Sequence, residues 1–252
     1  MSHSSAANGV SEDRLLDGRL LLRQPAKGYR AGVDAALLAA ACDAAAGQRV
    51  LELGCGVGAV MLAAAIRRQD ATFVGVERDE EALALANANI ALNGLGERVS
   101  ARARDLAAGL RGSGLAAFDA ALANPPFFDD PARLRAPHPT RRAAHLTPEG
   151  LGVWIDVMLA AVRAGGTLTL VHRADRLGDI LGLVAPKGGS LRVRPVQPFA
   201  DQPAKRVVVR AVKGGRAPLV LLPALVLHDR TEAKYTREAE AILRGEAGLD
   251  WS

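Results

Sequence analysis

Between Arg49 and Val184 the chain alternates short apolar runs with helical segments, and no other feature limits its fold so tightly. The runs are Arg49 to Leu53, Thr72 to Glu77, Arg98 to Arg104, Phe118 to Ala123 and Gly166 to His172. Between them stand Val57 to Arg68, apolar on every side, and Asp79 to Leu92, closed by Asn93-Gly94. Thr147-Pro148-Glu149 opens another helix by side-chain capping and a first-turn proline, running to about Ala164, and Asp175 to Val184 reads as one more. Strand, helix and strand in succession demand parallel pairing through right-handed crossovers, with helices on both faces of the sheet. Apolar runs of this kind suit strands covered on both sides. Beyond Val184 the texture changes. Ser190 to Phe199 and Lys205 to Val212 read as paired strands with no helix between them, followed by an apolar run, Leu219 to Leu227, and a helix, Lys234 to Arg244. The expectation is an α/β fold, doubly wound and mostly parallel, with an antiparallel C-terminal hairpin.

Upstream, Arg14 to Tyr29 has the pattern of a short hairpin turning at Asp17-Gly18. Val33 to Cys42 is an Ala/Leu helix with Asp34 in its first turn, ended by Gly47. Residues 1–13, rich in Ser, Ala, Asn and Gly, are expected to form a disordered tail, leaving 14–252 as a single domain. At 49% hydrophobic and 23% charged the composition suits a globular enzyme, and no apolar run is long enough to span a bilayer. Cys42 and Cys55 belong to no C-x-x-C pair, and the five histidines lack metal-ligand spacing. A reducing cytoplasm and a site without metal are therefore expected. A formal charge of +5 makes an anionic partner plausible.

Chemistry concentrates where the apolar runs end. Val50-Leu51-Glu52-Leu53-Gly54-Cys55-Gly56-Val57-Gly58 is a strand, a tight glycine turn and a helix start, which lets backbone approach a ligand closely. Glu52, two positions before Gly54, would meet a cationic amine; an anionic pyrophosphate would not want it there. Glu77 ends the next run, where a carboxylate accepts both ribose hydroxyls. Asp105, ending the third, can accept from an adenine amino group. A ligand with a nucleoside half and a cationic half satisfies all three, and S-adenosylmethionine has that shape. After the fourth run comes Asn124-Pro125-Pro126-Phe127. Two prolines cannot continue a strand or a helix interior, so they hold an amide side chain, two carbonyls and a ring in a fixed extended backbone. Loops at the carboxyl ends of parallel strands are where open α/β sheets bind ligands.

The glycine turn, Glu77, Asp105 and Asn124-Pro125-Pro126-Phe127 together resemble the class I S-adenosylmethionine-dependent methyltransferases. In that superfamily an N-P-P-[FY] turn marks enzymes that methylate an exocyclic or amide nitrogen. A narrower likeness is to the bacterial methyltransferases that act on adenine N6 in the anticodon loop of a valine tRNA. It rests on Gly28-Tyr29-Arg30-Ala31-Gly32-Val33-Asp34-Ala35-Ala36-Leu37-Leu38, on Leu227-His228-Asp229 and on Tyr235-Thr236. The likeness runs from about Leu16 to Arg244 and implies a Rossmann-like, seven-stranded sheet. It implies cofactor contacts at Asp34, Glu52, Gly54, Cys55, Gly56, Gly58, Glu77, Arg78, Asp105, Leu106 and Asn124, and catalytic roles for Asn124, Pro125, Pro126 and Phe127. The connection from Phe128 to Thr147 departs from the family in being longer and richer in Arg, Pro and His.

An amino nitrogen on an aromatic ring or a carbonyl is a poor nucleophile because its lone pair is delocalised. Acceptors at Asn124 Oδ1 and the Pro125 carbonyl, taking both of its N–H groups, would pyramidalise it toward the methyl donor. Phe127 would stack on the substrate plane. A base in structured RNA must be unstacked to reach such a pocket, and single-stranded loops make that cheaper. The basic connection with Arg133, Arg135, Arg141 and Arg142 reads as a lid over substrate and phosphates, with Lys27, Tyr29 and Arg30 as a second basic-aromatic edge. The expected substrate is RNA, a tRNA adenine first. A guanine N2 of rRNA and a glutamine amide of a release factor present the same chemistry.

Overall fold

The computed structural model describes residues 9–27, 30–110, 113–115, 117–126, 150–230 and 233–252. The central sheet runs outward in both directions from one strand. β3 (Arg49–Leu53) pairs in parallel with β4 (Thr72–Glu77) on one side and with β6 (Phe118–Ala123) on the other. β5 (Val99–Ala103) extends the first wing beyond β4. The second wing continues from β6 to β7 (Val162–Arg173), still parallel. Then β9 (Arg206–Lys213) runs antiparallel between β7 and β8 (Gly188–Gln197). Chain order therefore reverses between β3 and β6, and the crevice at that switch point is where such sheets bind ligands.

Strand parity sorts the core into two layers. Val50, Phe73 and Leu122 face helices α1 (Val33–Ala41), α2 (Ala59–Arg67), α3 (Glu80–Leu92) and the C-terminal α6 (Arg237–Arg244). Leu51, Leu53, Val76, Ala121 and Ala123 face α4 (Gly150–Ala161) and α5 (Leu177–Val184). In α2 every residue from Ala59 to Ala65 is buried, as its all-round apolarity requires.

Three details depart from the expectation. The hairpin of β1 (Val10–Leu15) and β2 (Leu20–Pro25) begins within the stretch read as a disordered tail. Ser11 and Asp13 look like solvent residues but are buried, because Gln24 Nε2 (2.7 Å) and Arg30 Nη2 (2.5 Å) both donate to Asp13, while Arg30 Nη1 donates to Ser11 Oγ (2.6 Å). Next, β7 starts at Val162, ahead of Gly166, and a register irregularity opposite Phe118 to Ala120 absorbs the extra residues. Finally, the apolar run from Leu219 supplies two short strands, β10 (Val220–Leu221) and β11 (Leu225–Val226), both parallel to β8. They bring the sheet to nine strands among the described residues, around the seven expected. No helix among those residues is long and apolar enough to cross a membrane.

At the amino-terminal rim, opposite the switch-point crevice, Asp119 joins three strands. Its Oδ2 accepts the Arg49 N–H (2.8 Å) and its Oδ1 accepts Arg163 Nε (2.7 Å). The Arg49 N–H first, and the Arg163 guanidinium after it, hold this carboxyl below its usual range. A depressed acid stabilises the fold above the unfolded value of about 3.9, and that contribution is lost as pH falls through the folded value. Arg163 stands half in solvent, which limits the gain to about 1 kcal/mol. Asp119→Asn should therefore lower the melting temperature at pH 7 by about 2–4 °C. In thermal melts recorded against pH, the gap to wild type should close as the medium becomes strongly acidic.

Candidate active site

The registers Leu53↔Val76, Leu53↔Ala123 and Glu77↔Ala103 bring the ends of four parallel strands to one rim. Gly54, Glu77, Asp105 and Asn124 emerge there from separate parts of the chain. Backbone bonds fix the loops that follow: Cys55 N–H to the Val76 carbonyl (3.0 Å), Gly58 N–H to the Cys55 carbonyl (2.8 Å) and Arg104 N–H to the Glu77 carbonyl (2.8 Å). Gly54 has a φ of +62°, and a Cβ there would overlap the Trp154 ring, so conformation and space both exclude a side chain. At Gly56 a Cβ would meet nothing within 4 Å, which leaves that backbone approachable from the rim.

The carboxylates divide by strand parity and by partner. Glu77 sits beside the glycine turn: Oε2 accepts the Gly56 N–H (2.8 Å), and Oε1 accepts those of Arg78 (2.8 Å) and Asp79 (2.9 Å). Three backbone donors fix the carboxylate and leave it further acceptor capacity. Asp105 is exposed at the rim, caps a single 3-10 turn through Ala107 N–H (3.0 Å) and is followed by the buried Leu106. An open glycine backbone, a fixed carboxylate one strand away and a second acid one strand further thus share one rim.

Glu52 departs from the expectation. It shares the face of Val50, so its side chain lies beneath α2, 3% exposed, with Oε2 accepting the Met61 N–H at 2.9 Å. Burial pushes its carboxyl well above the ordinary range, against the opposing Met61 N–H and with a further push from Glu77. Glu52 is therefore a buried acid bound to the first turn of α2, where the sequence pattern suggested an acid open to the rim. Asp34 is also engaged elsewhere, its Oδ2 accepting Arg206 Nε at 3.1 Å across to β9. Cys55 packs inward, and burial raises its thiol well above the usual value.

Asn124 leaves β6 half-buried, Pro125 is buried and Pro126 half-buried, directly beside the glycine turn. Phe127 and the basic connection with Arg133, Arg135, Arg141 and Arg142 lie outside the described residues, as does Tyr29. Lys27 is exposed, and Arg30 is drawn into the Ser11–Asp13–Gln24 network of the hairpin. Trp154 packs against the glycine turn yet carries no motif. Its ring lies under Gly54, and its buried Nε1 has no hydrogen-bond partner among the described residues. Near the same edge of the sheet, the rings of Phe199, His228 and Tyr235 lie in series, with centroids 5.5 and 5.2 Å apart. Arg230 lies over Phe199, and a cavity of about 560 Å³ opens beside the rings.

A family model described as "Methyltransferase small domain" matches residues 30–150. A release factor glutamine methyltransferase of Gloeobacter violaceus is 32% identical over 182 residues, covering 67% of this chain and 60% of the relative. A tRNA1(Val) (adenine(37)-N6)-methyltransferase of Actinobacillus succinogenes is 29% identical over 148 residues, covering 58% and 62% respectively. The chain thus spans about three fifths of the length of these relatives. A crystal structure titled as a predicted O-methyltransferase of Agrobacterium tumefaciens superposes with a TM-score of 0.72 at 25% identity, covering 86% of this chain and 98% of that one.

Two expected outcomes test this geometry. Glu52 is protonated more readily in the fold than out of it. As pH rises past about 4.3 the unfolded chain ionises first, and stability falls until the folded value is reached. Glu52→Gln keeps an acceptor for Met61 and removes that loss, so it should melt above wild type at pH 8 and level with it near pH 4. Gly54→Ala should cost about 3 kcal/mol in urea unfolding, from a positive φ and from overlap with Trp154. Adding Trp154→Leu should return the overlap part alone; strictly additive single effects would show that the two positions do not touch.

Proposed function

We propose that the chain is a class I S-adenosylmethionine-dependent methyltransferase and that it methylates the exocyclic amino group of a base in RNA, in the first instance adenine N6 of a tRNA. One observation carries this reading: Asn124-Pro125-Pro126 stands at the switch point, on the strand next to the one that supplies the glycine turn. The cofactor supplies an electrophilic methyl group on a sulfonium, so the protein's task is to orient a weak nitrogen nucleophile. In our reading Glu77 and Asp105 hold the nucleoside half over Gly56. Asn124 Oδ1 and the Pro125 carbonyl take the two N–H groups of the substrate and turn its lone pair toward the methyl group. Pro125 and Pro126 keep those acceptors from rotating away. Phe127, the next residue, stacks on the base. Asn124 is an acceptor and not a base, which suits an amino group better than an alcohol that must lose its proton. No metal-ligating cluster occurs among the described residues, and our mechanism uses none.

RNA is favoured by the formal charge of +5, by the four arginines of the connection after Phe127 and by the tRNA-modifying relative. The arginines would follow the phosphate backbone and make binding salt-dependent. The same reading puts the enzyme in the cytoplasm, where the buried thiols of Cys42 and Cys55 stay reduced. The glutamine amide of a release factor is the second reading, favoured by the relative from Gloeobacter violaceus; guanine N2 of rRNA is a third.

Transfer of labelled methyl from S-adenosylmethionine to total tRNA, total rRNA and release factor separates these substrates. Label on tRNA, located at an adenine by nuclease digestion, is the expected result; label confined to release factor overturns the RNA reading. Asn124→Ala should lower turnover about 100-fold or more, by analogy with the loss of one preorganised polar group. Its affinity for the cofactor, measured by calorimetry, should stay within a few-fold of wild type.

A further inference from the structure

Asn89 lies in the last turn of α3, wholly buried, at a position where an apolar side chain would be the ordinary occupant. A buried amide must find partners, and this one has three. Its Oδ1 accepts the Arg23 N–H (2.8 Å), and its Nδ2 donates to the Arg23 carbonyl (2.9 Å) and to the Val57 carbonyl (2.9 Å). One turn later Asn93 repeats the pattern on the same strand. Its Oδ1 accepts the Leu21 N–H (3.0 Å), and its Nδ2 donates to the Leu21 carbonyl (2.8 Å) and to the Asn89 carbonyl (2.8 Å).

Four residues of helix advance about 6 Å, and two residues of strand about 6.8 Å. Asparagines four apart can therefore meet strand residues two apart. The two amides pair the edge of β2 that β1 leaves open, as a further strand would, and lock its register. A one-residue slip would turn Leu20 and Leu22, both fully buried, out to solvent.

The amides differ in one respect. Among the described residues the side-chain hydrogen bonds of Asn93 reach β2 and its own helix, whereas Asn89 also holds the carbonyl of Val57, inside the glycine turn. Val57 lies between Gly56, whose N–H donates to Glu77, and Gly58, which precedes α2. The residue after Arg23 continues the chain of contacts, since Gln24 Oε1 accepts the Ala31 N–H (2.9 Å) and so fixes the segment that leads into α1. One amide thus ties the N-terminal hairpin to the loop that meets the cofactor.

We propose that Asn89 is a positioning residue for cofactor binding, acting through the Val57 carbonyl to hold the glycine turn, while Asn93 serves hairpin docking alone. The proposal rests on the cofactor reading above. Its test compares Asn89→Leu with Asn93→Leu in the full chain, by thermal melts and by calorimetric titration with S-adenosylhomocysteine below both melting transitions. Both variants should lose thermal stability. Only Asn89→Leu should weaken the ligand, by about tenfold or more, with Asn93→Leu within about twofold of wild type. If Asn89→Leu does not fold, Asn89→Asp and Asn93→Asp take their place, since each keeps the shape and the acceptor but loses its donors. Equal weakening by both members of a pair, or none by either, overturns the role of Asn89 while leaving the cofactor reading intact. A wild-type chain that binds no S-adenosylhomocysteine overturns both.

Discussion

The rest of the structure depends on β3 being hydrogen-bonded along both edges. Because β4 and β6 flank it in matching register, the turns after β3, β4 and β6 open at one height on one rim. Parallel pairing does this without regard to sequence distance: Gly54 and Asn124, seventy residues apart in the chain, become neighbours. The helices that cover both faces then leave the crevice at the strand ends as the natural place for a ligand.

Around that crevice the protein spends polar groups on fixing backbone. Glu77 is anchored by three N–H groups, Glu52 is sunk beneath α2 on a fourth, and Asn89 holds the Val57 carbonyl from the far side. Such groups stabilise only while fully partnered, because each desolvated donor or acceptor left alone costs about 1–3 kcal/mol. The Ser11–Asp13–Gln24–Arg30 network follows the same rule at the hairpin. A loop held from several sides has less freedom left to lose on binding.

Most of the sheet was legible in advance. Arg49–Leu53, Thr72–Glu77 and Phe118–Ala123 are strands with the boundaries their apolar runs indicated. The glycine turn, Glu77, Asp105 and Asn124 do converge, since a motif at the carboxyl end of a parallel strand can only lie on that rim. The burial of Glu52 was not legible because its proximity in sequence to Gly54 was weighed above the alternation of side chains along β3. The hairpin was cut short because buried polar residues look like surface residues until their partners are known. Trp154 and Asn89 gave no signal at all, since neither belongs to a local pattern.

By itself, then, the sequence determined the α/β alternation, the glycine turn and the Asn-Pro-Pro corner, all of which follow from local periodicity, backbone restriction and short-range spacing. Only the tertiary structure decided which carboxylates stand at the rim and which is buried, where Arg30 and Asp34 find their partners, and which buried amide holds the turn. Those outcomes depend on contacts between segments far apart in the chain. A lone pair or an N–H has no assigned partner until the sheet has closed around it.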